Sequence, residues 1–212
     1  MEVPLWQWSA TNLAEAIREK RISSREVIQA HLDRIEAVNH KVNAVTVVLE
    51  EDALRAASEA DKKIAAGEKV GPLHGVPMTF KENIDLVGSA TTHGIVDLKD
   101  SLPQTDAPVV AHLKQAGAIP IGRTNLPDFG LRWHTNNDLR GATLNPWDPS
   151  RTAGGSSGGE AAAIATGMSP LGGGNDMGGS VRYPSLCCGI IAIKSTFGKV
   201  SRIATSIFAA PP

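Results

Sequence analysis

RTAGGSSGGEAAAIATGMSPLGGGNDMGGSVRY, residues 151–183, sets two glycine–serine clusters on either side of an alanine-rich run. Three readings fit such a stretch: a flexible linker, a phosphate cradle, or the floor of an acyl-transfer site. The linker reading fits poorly, because Glu160 to Ile164 follows GGSSGG at once and is strongly helix-forming. A Walker phosphate loop needs a lysine and a Ser/Thr after its second glycine, and neither is present. The dinucleotide pattern GxGxxG also fails, since the sixth position counted from Gly172 is Met177. An acyl-transfer site asks for a nucleophile, a base and donors for an oxyanion. Ser180 ends the run Met177-Gly178-Gly179-Ser180, and glycines let backbone N–H groups approach a ligand closely. If Ser180 also opens a helix, those donors face a developing negative charge. The base stays open at this point. All six histidines precede the clusters, and a lysine kept neutral by burial can replace histidine. Lys81 ends the apolar run GVPMTFK and is the candidate.

The rest of the chain narrows the class. It has 212 residues, 42% hydrophobic and 20% charged, which suits a globular protein with one good core. The formal net charge of -1 gives no basic footprint for nucleic acid or acidic lipid. The opening MEVPLWQWSA lacks the basic and apolar regions of a secretory signal, and no apolar run is long enough to span a bilayer. A cytoplasmic protein is expected, with no membrane partner. Cys187 and Cys188 are adjacent, which suits two small hydrophobes in a reducing compartment better than a disulfide or a metal site.

Helices and short strands alternate. Thr11 to Lys20 reads as a helix capped by Thr11, and Ser23 with Glu26 forms a capping box for the next one. Behind it Val27, Ile28, His31, Leu32, Ile35 and Val38 recur at helical spacing. Residues 43–49 read as a strand and 51–66 as a helix ended by Gly67. Strands are expected at 75–81, 118–122, 169–172 and, buried, at Ile190 to Lys194. Helices are expected at 106–115, with Pro108 in its first turn, and at 159–166. Residues 123–155 read as an ordered loop region. The pattern predicts a layered α/β domain with a mostly parallel sheet. The ending SRIATSIFAAPP supplies no capping helix after the expected central strand, so the sheet is expected to be incomplete.

GVPMTFKENID, GGSSGGEAAA and NDMGGSVRYPS occur in this order, with 75 positions between Lys81 and Ser156 and 24 between Ser156 and Ser180. Together they closely resemble the amidase signature family of serine hydrolases. The resemblance extends to GPLHGVP, DAPVVAHLKQAGAIPIGRTNLPDF and NPWDPSRTAGGSSGG, and covers nearly the whole chain. It implies an α/β layered fold whose mixed, mostly parallel sheet is flanked by helices. This chain would be its N-terminal portion, with a helical segment over about residues 1–70 and a catalytic core over 71–212. The resemblance further implies a triad: Ser180 as nucleophile, Ser156 as bridge behind a cis peptide bond, Lys81 as base. Backbone N–H groups of Met177, Gly178, Gly179 and Ser180 would form the oxyanion hole. No cofactor or metal is implied.

The implied function is hydrolysis of a linear carboxamide to carboxylate and amine or ammonia through an acyl-enzyme. The alternatives are the A subunit of a glutamine-dependent tRNA amidotransferase, for which the loop FGLRWHTNN is a poor match, and an inactive fragment. A homo-oligomer or a completing chain would cover an open half-sheet. Around the triad, Ser157 is expected to make local backbone hydrogen bonds, Asp176 and Arg182 to brace the loop, and Glu160 to be an ordinary first-turn acid. Trp133 and His134 are either loop packing or substrate wall. Two departures stand out: Asn175 where the family usually has threonine, and Lys194-Ser195-Thr196 in place of Lys-Pro-Thr. Family domains are also considerably longer.

Overall fold

In the computed structural model, residues 3–205 are described. The N-terminal helix α1 (Ala10–Arg18) starts one residue before the expected helix, because Ser9 rather than Thr11 caps it and accepts from Asn12 N. Helix α2 (Ser24–Val42) carries the expected capping box, with Ser23 and Glu26 satisfying each other's backbone donors. Its apolar stripe is buried at Val27, Ile28, His31, Leu32 and Ile35. The four aliphatic side chains each stabilise by roughly 1.5–3 kcal/mol and the cap by about 1, so burial rather than capping fixes this helix. Asn43 ends it in the left-handed region, φ 51. Strand β1 (Val45–Val48) and helix α3 (Glu50–Ala65) follow. Ala53, Ala57 and Ala60 make a small-residue stripe on α3, which brings its backbone close to the layer beneath.

Strand β2 (Pro77–Lys81) is buried at every position. Helix α4 (Pro108–Gln115) then leads to strand β3 (Ile119–Thr124), with Pro108 at its first turn. The expected strand 118–122 thus runs on to Thr124, and that extension places Thr124 beside Lys81. Residues 125–157 are mostly irregular, as expected. Helix α5 (Gly158–Ala165), strand β4 (Gly172–Gly173) and helix α6 (Arg182–Cys188) complete the described elements.

The four strands form one mixed sheet in the order β1-β3-β2-β4. β2 runs parallel to β3 and β4, and β1 lies antiparallel on β3. The α/β layered, mostly parallel expectation therefore holds. β1 comes from the helical N-terminal stretch and pairs with β3 from the region beyond residue 71, so one sheet spans both. The main core joins α2, α3, β1, β3 and α5, and takes in the fully buried Met168 and Cys188. A second cluster packs Phe80, Ile84 and Leu86 against α4.

Two expectations fail near the C-terminal end. β4 is two residues long and shifted from 169–172, and Ile190 to Lys194 is not a strand at all. Ile191 is 96% exposed and Ile193 86%. Helix α6, absent from the sequence-based expectation, uses the preceding residues and ends at Gly189. A short apolar run does not by itself make a strand, and among the described residues no strand pairs with 190–194. The absence of a capping helix after this segment was expected over residues that include 206–212, which lie outside the described residues.

Candidate active site

Residues two apart on a strand share a face, so Thr79 and Lys81 of β2 point the same way. Thr124 of β3 is the register partner of Lys81. The first turn of α5 sets Glu160 over this face. Its two carboxylate oxygens accept hydrogen bonds from Thr79 Oγ1 and Thr124 Oγ1, the latter at 2.6 Å. β4 can lie this close only because Gly172 has no side chain; a Cβ there would overlap the Glu160 carboxylate. Glu160 is a first-turn acid of its helix, as expected, but a buried one. Burial lifts its pKa to about 7, against the two threonine bonds and the nearby Lys81 and Arg123 charges, which pull it down.

Lys81 is fully buried. Its Nζ donates to Ser156 Oγ at 2.7 Å and to Asn175 Oδ1 at 2.8 Å. Burial brings its pKa down to about 7, although Glu160 and Asp176 favour the charged form. Amine and ammonium are thus both populated near neutral pH. Arg123 holds the backbone of this strand end. Its guanidinium donates to Phe80 O, Lys81 O and Ile84 O, at 3.4, 3.2 and 2.6 Å. Glu82, next to Lys81, is buried and paired with Arg140 at 2.6 Å.

The two glycine–serine clusters meet here. The Gly155–Ser156 peptide bond is cis, and Ser156 is buried beneath the lysine. Ser157 N–H donates to Ser180 O at 3.1 Å, a direct link between the clusters. The Ser157 hydroxyl does not make the expected local bonds, since its Oγ is buried without a partner among the described residues. Asp176 braces the second cluster, as expected. Its carboxylate accepts from the backbone N–H of Gly179, Val181 and Arg182, and from the Arg182 guanidinium at 2.9 and 3.0 Å. Burial alone would raise its pKa, but these donors hold it well below the usual carboxylate range.

Ser180 is buried except for a face on a cavity of about 440 Å³ that it shares with Ser156 and Asn175. Ile84, Phe129, Val181 and Phe197 line the apolar part of this cavity, and Asn83, Lys194 and Arg202 are among its polar lining. No hydrogen bond joins Ser156 Oγ to Ser180 Oγ among the described residues. Helix α6 begins only at Arg182, two residues after the serine, and so does not open on Ser180. Of the four N–H groups singled out as oxyanion donors, that of Gly179 is already given to Asp176 at 2.7 Å. Those of Met177, Gly178 and Ser180 bond nothing among the described residues. Trp133 lies 6.2 Å from the Tyr183 ring of α6, and His134 Nδ1 meets Thr152 Oγ1 at 3.0 Å, and neither lines the cavity.

The structure thus gathers Lys81, Ser156, Ser180 and the Met177–Ser180 loop into one place. Three further participants escape a reading of the sequence. Glu160 passes for an ordinary acid, Asn175 for a mild departure from a family pattern, and Arg123 for a residue of the loop region. The only signal for Glu160 was the Thr79, Lys81 alternation on a strand that faces its helix. Among the described residues no helix is long and apolar enough to cross a membrane, and no three His, Cys, Asp or Glu side chains cluster for a metal.

A protein-family model described as Amidase matches residues 26–207. The indoleacetamide hydrolase of Bradyrhizobium diazoefficiens is 52% identical over 197 residues, covering 93% of this chain and 38% of that protein. The A subunit of the glutamyl-tRNA(Gln) amidotransferase of Carboxydothermus hydrogenoformans is 45% identical over 205 residues, covering 97% and 42%. Among solved structures, a bacterial aryl acylamidase of the amidase signature family superposes with a TM-score of 0.83 at 36% identity, covering 86% of this chain and 38% of that one. The chain spans about two fifths of the length of these relatives. It belongs to the amidase family.

Proposed function

We propose that this amidase-family chain carries the acylating residues of a hydrolase that cleaves a linear carboxamide to a carboxylate and an amine or ammonia. The observation that carries the reading is the 2.7 Å hydrogen bond between Lys81 Nζ and Ser156 Oγ in a fully buried setting. A lysine with a pKa of about 7 is a competent base at neutral pH. In the amine form, Lys81 takes the Ser156 proton as Ser156 takes that of Ser180. The hydroxyl of Ser180 must turn toward Ser156 for this step. Ser180 Oγ then forms a bond to the amide carbon, and the carbonyl π pair moves to oxygen. The free N–H groups of Met177, Gly178 and Ser180 face that oxyanion. Gly179 joins them once its N–H exchanges Asp176 for the substrate oxygen. Collapse breaks the C–N bond, and the proton returns through Ser156 to the leaving nitrogen. Water then attacks the acyl-enzyme by the same proton route.

The substrate reading is a carboxamide with an apolar acyl group. It rests on the apolar cavity wall and on the similarity to an indoleacetamide hydrolase. The second reading, part of an amidotransferase that releases ammonia from glutamine, rests on the 45% identity to such a protein. A fluorophosphonate probe tests the nucleophile: the chain should be labelled, and Ser180→Ala should abolish the label. Failure of the soluble, folded chain to label would overturn the catalytic reading. Ammonia release from indole-3-acetamide against glutamine separates the two substrates.

A further inference from the structure

Asn175 is the second partner of the Lys81 amine, reached across 94 residues of sequence. Its amide is held from behind. Asn175 Nδ2 donates to Asn83 Oδ1 at 3.0 Å and to the backbone carbonyl of Thr205. A backbone carbonyl only accepts. The nitrogen of Asn175 must therefore face Thr205, whichever way the Asn83 amide is turned, and its oxygen must face Lys81.

That orientation matters because an amide oxygen can accept a hydrogen bond from Nζ but can never donate one. The ammonium has three N–H donors; the amine has two and a lone pair. Asn175 Oδ1 can hold one N–H in both states. The Ser156 contact, by contrast, has to reverse: Nζ donates to Ser156 as an ammonium and accepts from it as an amine. A fixed acceptor on one side keeps the lone pair aimed at Ser156 on the other.

We propose that Asn175 is a positioning residue, whose oxygen anchors the Lys81 amine through both protonation states so that the reversing bond is always the one to Ser156. The proposal rests on the reading of Lys81 as the base. Other charged groups surround this amine: Glu160 from α5 and Asp176 from the same loop as Asn175 favour its charged form, His93 from the loop after β2 feels its charge, and the Arg123 guanidinium of β3 sits on the Lys81 backbone carbonyl. The variants below leave all of these in place.

The test uses the full chain and two near-isosteric substitutions. Asn175→Asp keeps the acceptor on Lys81, gives up the Nδ2 donor to Asn83 and Thr205, and adds a negative charge, which should raise the Lys81 pKa by about 1–3 units. Asn175→Leu keeps the branched outline in a somewhat larger side chain and removes the acceptor, which should lower that pKa, since an acceptor favours the ammonium. Lys81 is titrated directly by NMR of ¹³C-labelled lysine, a readout that needs no turnover. In parallel, the rate of fluorophosphonate labelling is followed against pH. For Asn175→Asp the rate profile should move to higher pH with its plateau kept. For Asn175→Leu the midpoint should move to lower pH and the plateau fall about 10–100-fold. Lys81 midpoints that do not move, or that move the same way in both folded variants, would overturn the positioning role. A chain that shows the opposed NMR shifts but never labels Ser180 would leave the anchor intact and overturn the hydrolase reading instead.

Discussion

The two glycine–serine clusters meet at one site and have opposite surroundings. GGSSGG, residues 154–159, is buried at every position. In the second cluster, residues 174–180, only Ser180 is buried, and Met177 is 78% exposed. Glycine therefore does two different jobs. In the first cluster it makes room: a Cβ on Gly159 would overlap the Asn125 backbone, and one on Gly158 the Thr135 side chain. In the second it allows conformation and access: Gly179 takes φ +120, and a Cβ on Gly178 would meet nothing within 4 Å. The first cluster is shaped by packing with the core. The second is shaped by one carboxylate, Asp176, that gathers three N–H groups around it.

This contrast can be put to the test at several points. The largest effect is expected where both clusters converge on the amine. Lys81→Ala should cut fluorophosphonate labelling by on the order of 10³–10⁴-fold at neutral pH. Circular dichroism should show the fold largely kept, since a buried amine is exchanged for a methyl group. Normal labelling in that variant would remove Lys81 from the proton path.

Next is Gly159→Ala. Its methyl group has rigid backbone as a neighbour, so the loss should be about 1–3 kcal/mol or more, read as a fall in urea midpoint. Unchanged stability would mean that the first cluster is not packing-limited.

Glu160→Gln should act on pH dependence rather than on rate at high pH. The Lys81 amine is the active base, so labelling should rise with pH and level off above about 7. Removing the Glu160 charge withdraws support from the ammonium, and the midpoint should move to lower pH. Stability carries a second signature. The folded pKa of Glu160 is raised from 4.5 to about 7, so the native state holds the extra proton between these values. Wild-type stability from this group is present below pH 4.5 and lost as pH rises toward 7. Lys81 works in the adjacent window with the opposite slope. Its folded pKa is lowered from 10.5 to about 7, so stability recovers as pH rises from 7 to 10.5. In Glu160→Gln the loss between 4.5 and 7 should vanish while the recovery above 7 remains.

The smallest effect is expected at Gly178→Ala. There is open space for the methyl group, so thermal stability should change by no more than about 0.5 kcal/mol. A large loss there would show that the second cluster is packed after all.

Part of this molecule is legible without coordinates. The capping box at Ser23 and Glu26, the apolar stripe of α2 and the end of α3 before Gly67 agree with the sequence pattern within a residue or two. Each depends on neighbours three or four positions away, the range over which helix periodicity acts. Ser9 displaced Thr11 as a cap because both lie within reach of a helix start and only geometry chooses between them. The run IIAIK misled because its apolar character is real while no strand pairs with it among the described residues.

Residue order alone settles which groups could do chemistry: a lysine at the end of an apolar strand, two serines among glycines, and the spacing that marks the amidase family. How those groups are tuned is a matter of the folded chain. Folding sets Glu160 under Lys81 through threonines on two strands, turns the Asn175 oxygen onto the amine, and gives the Gly179 N–H to Asp176. Partners such as Thr79 and Glu160, 81 residues apart, leave no periodic trace in the chain. Their meeting depends on strand register and burial, and burial is what brings the pKa of both the lysine and the acid to about 7.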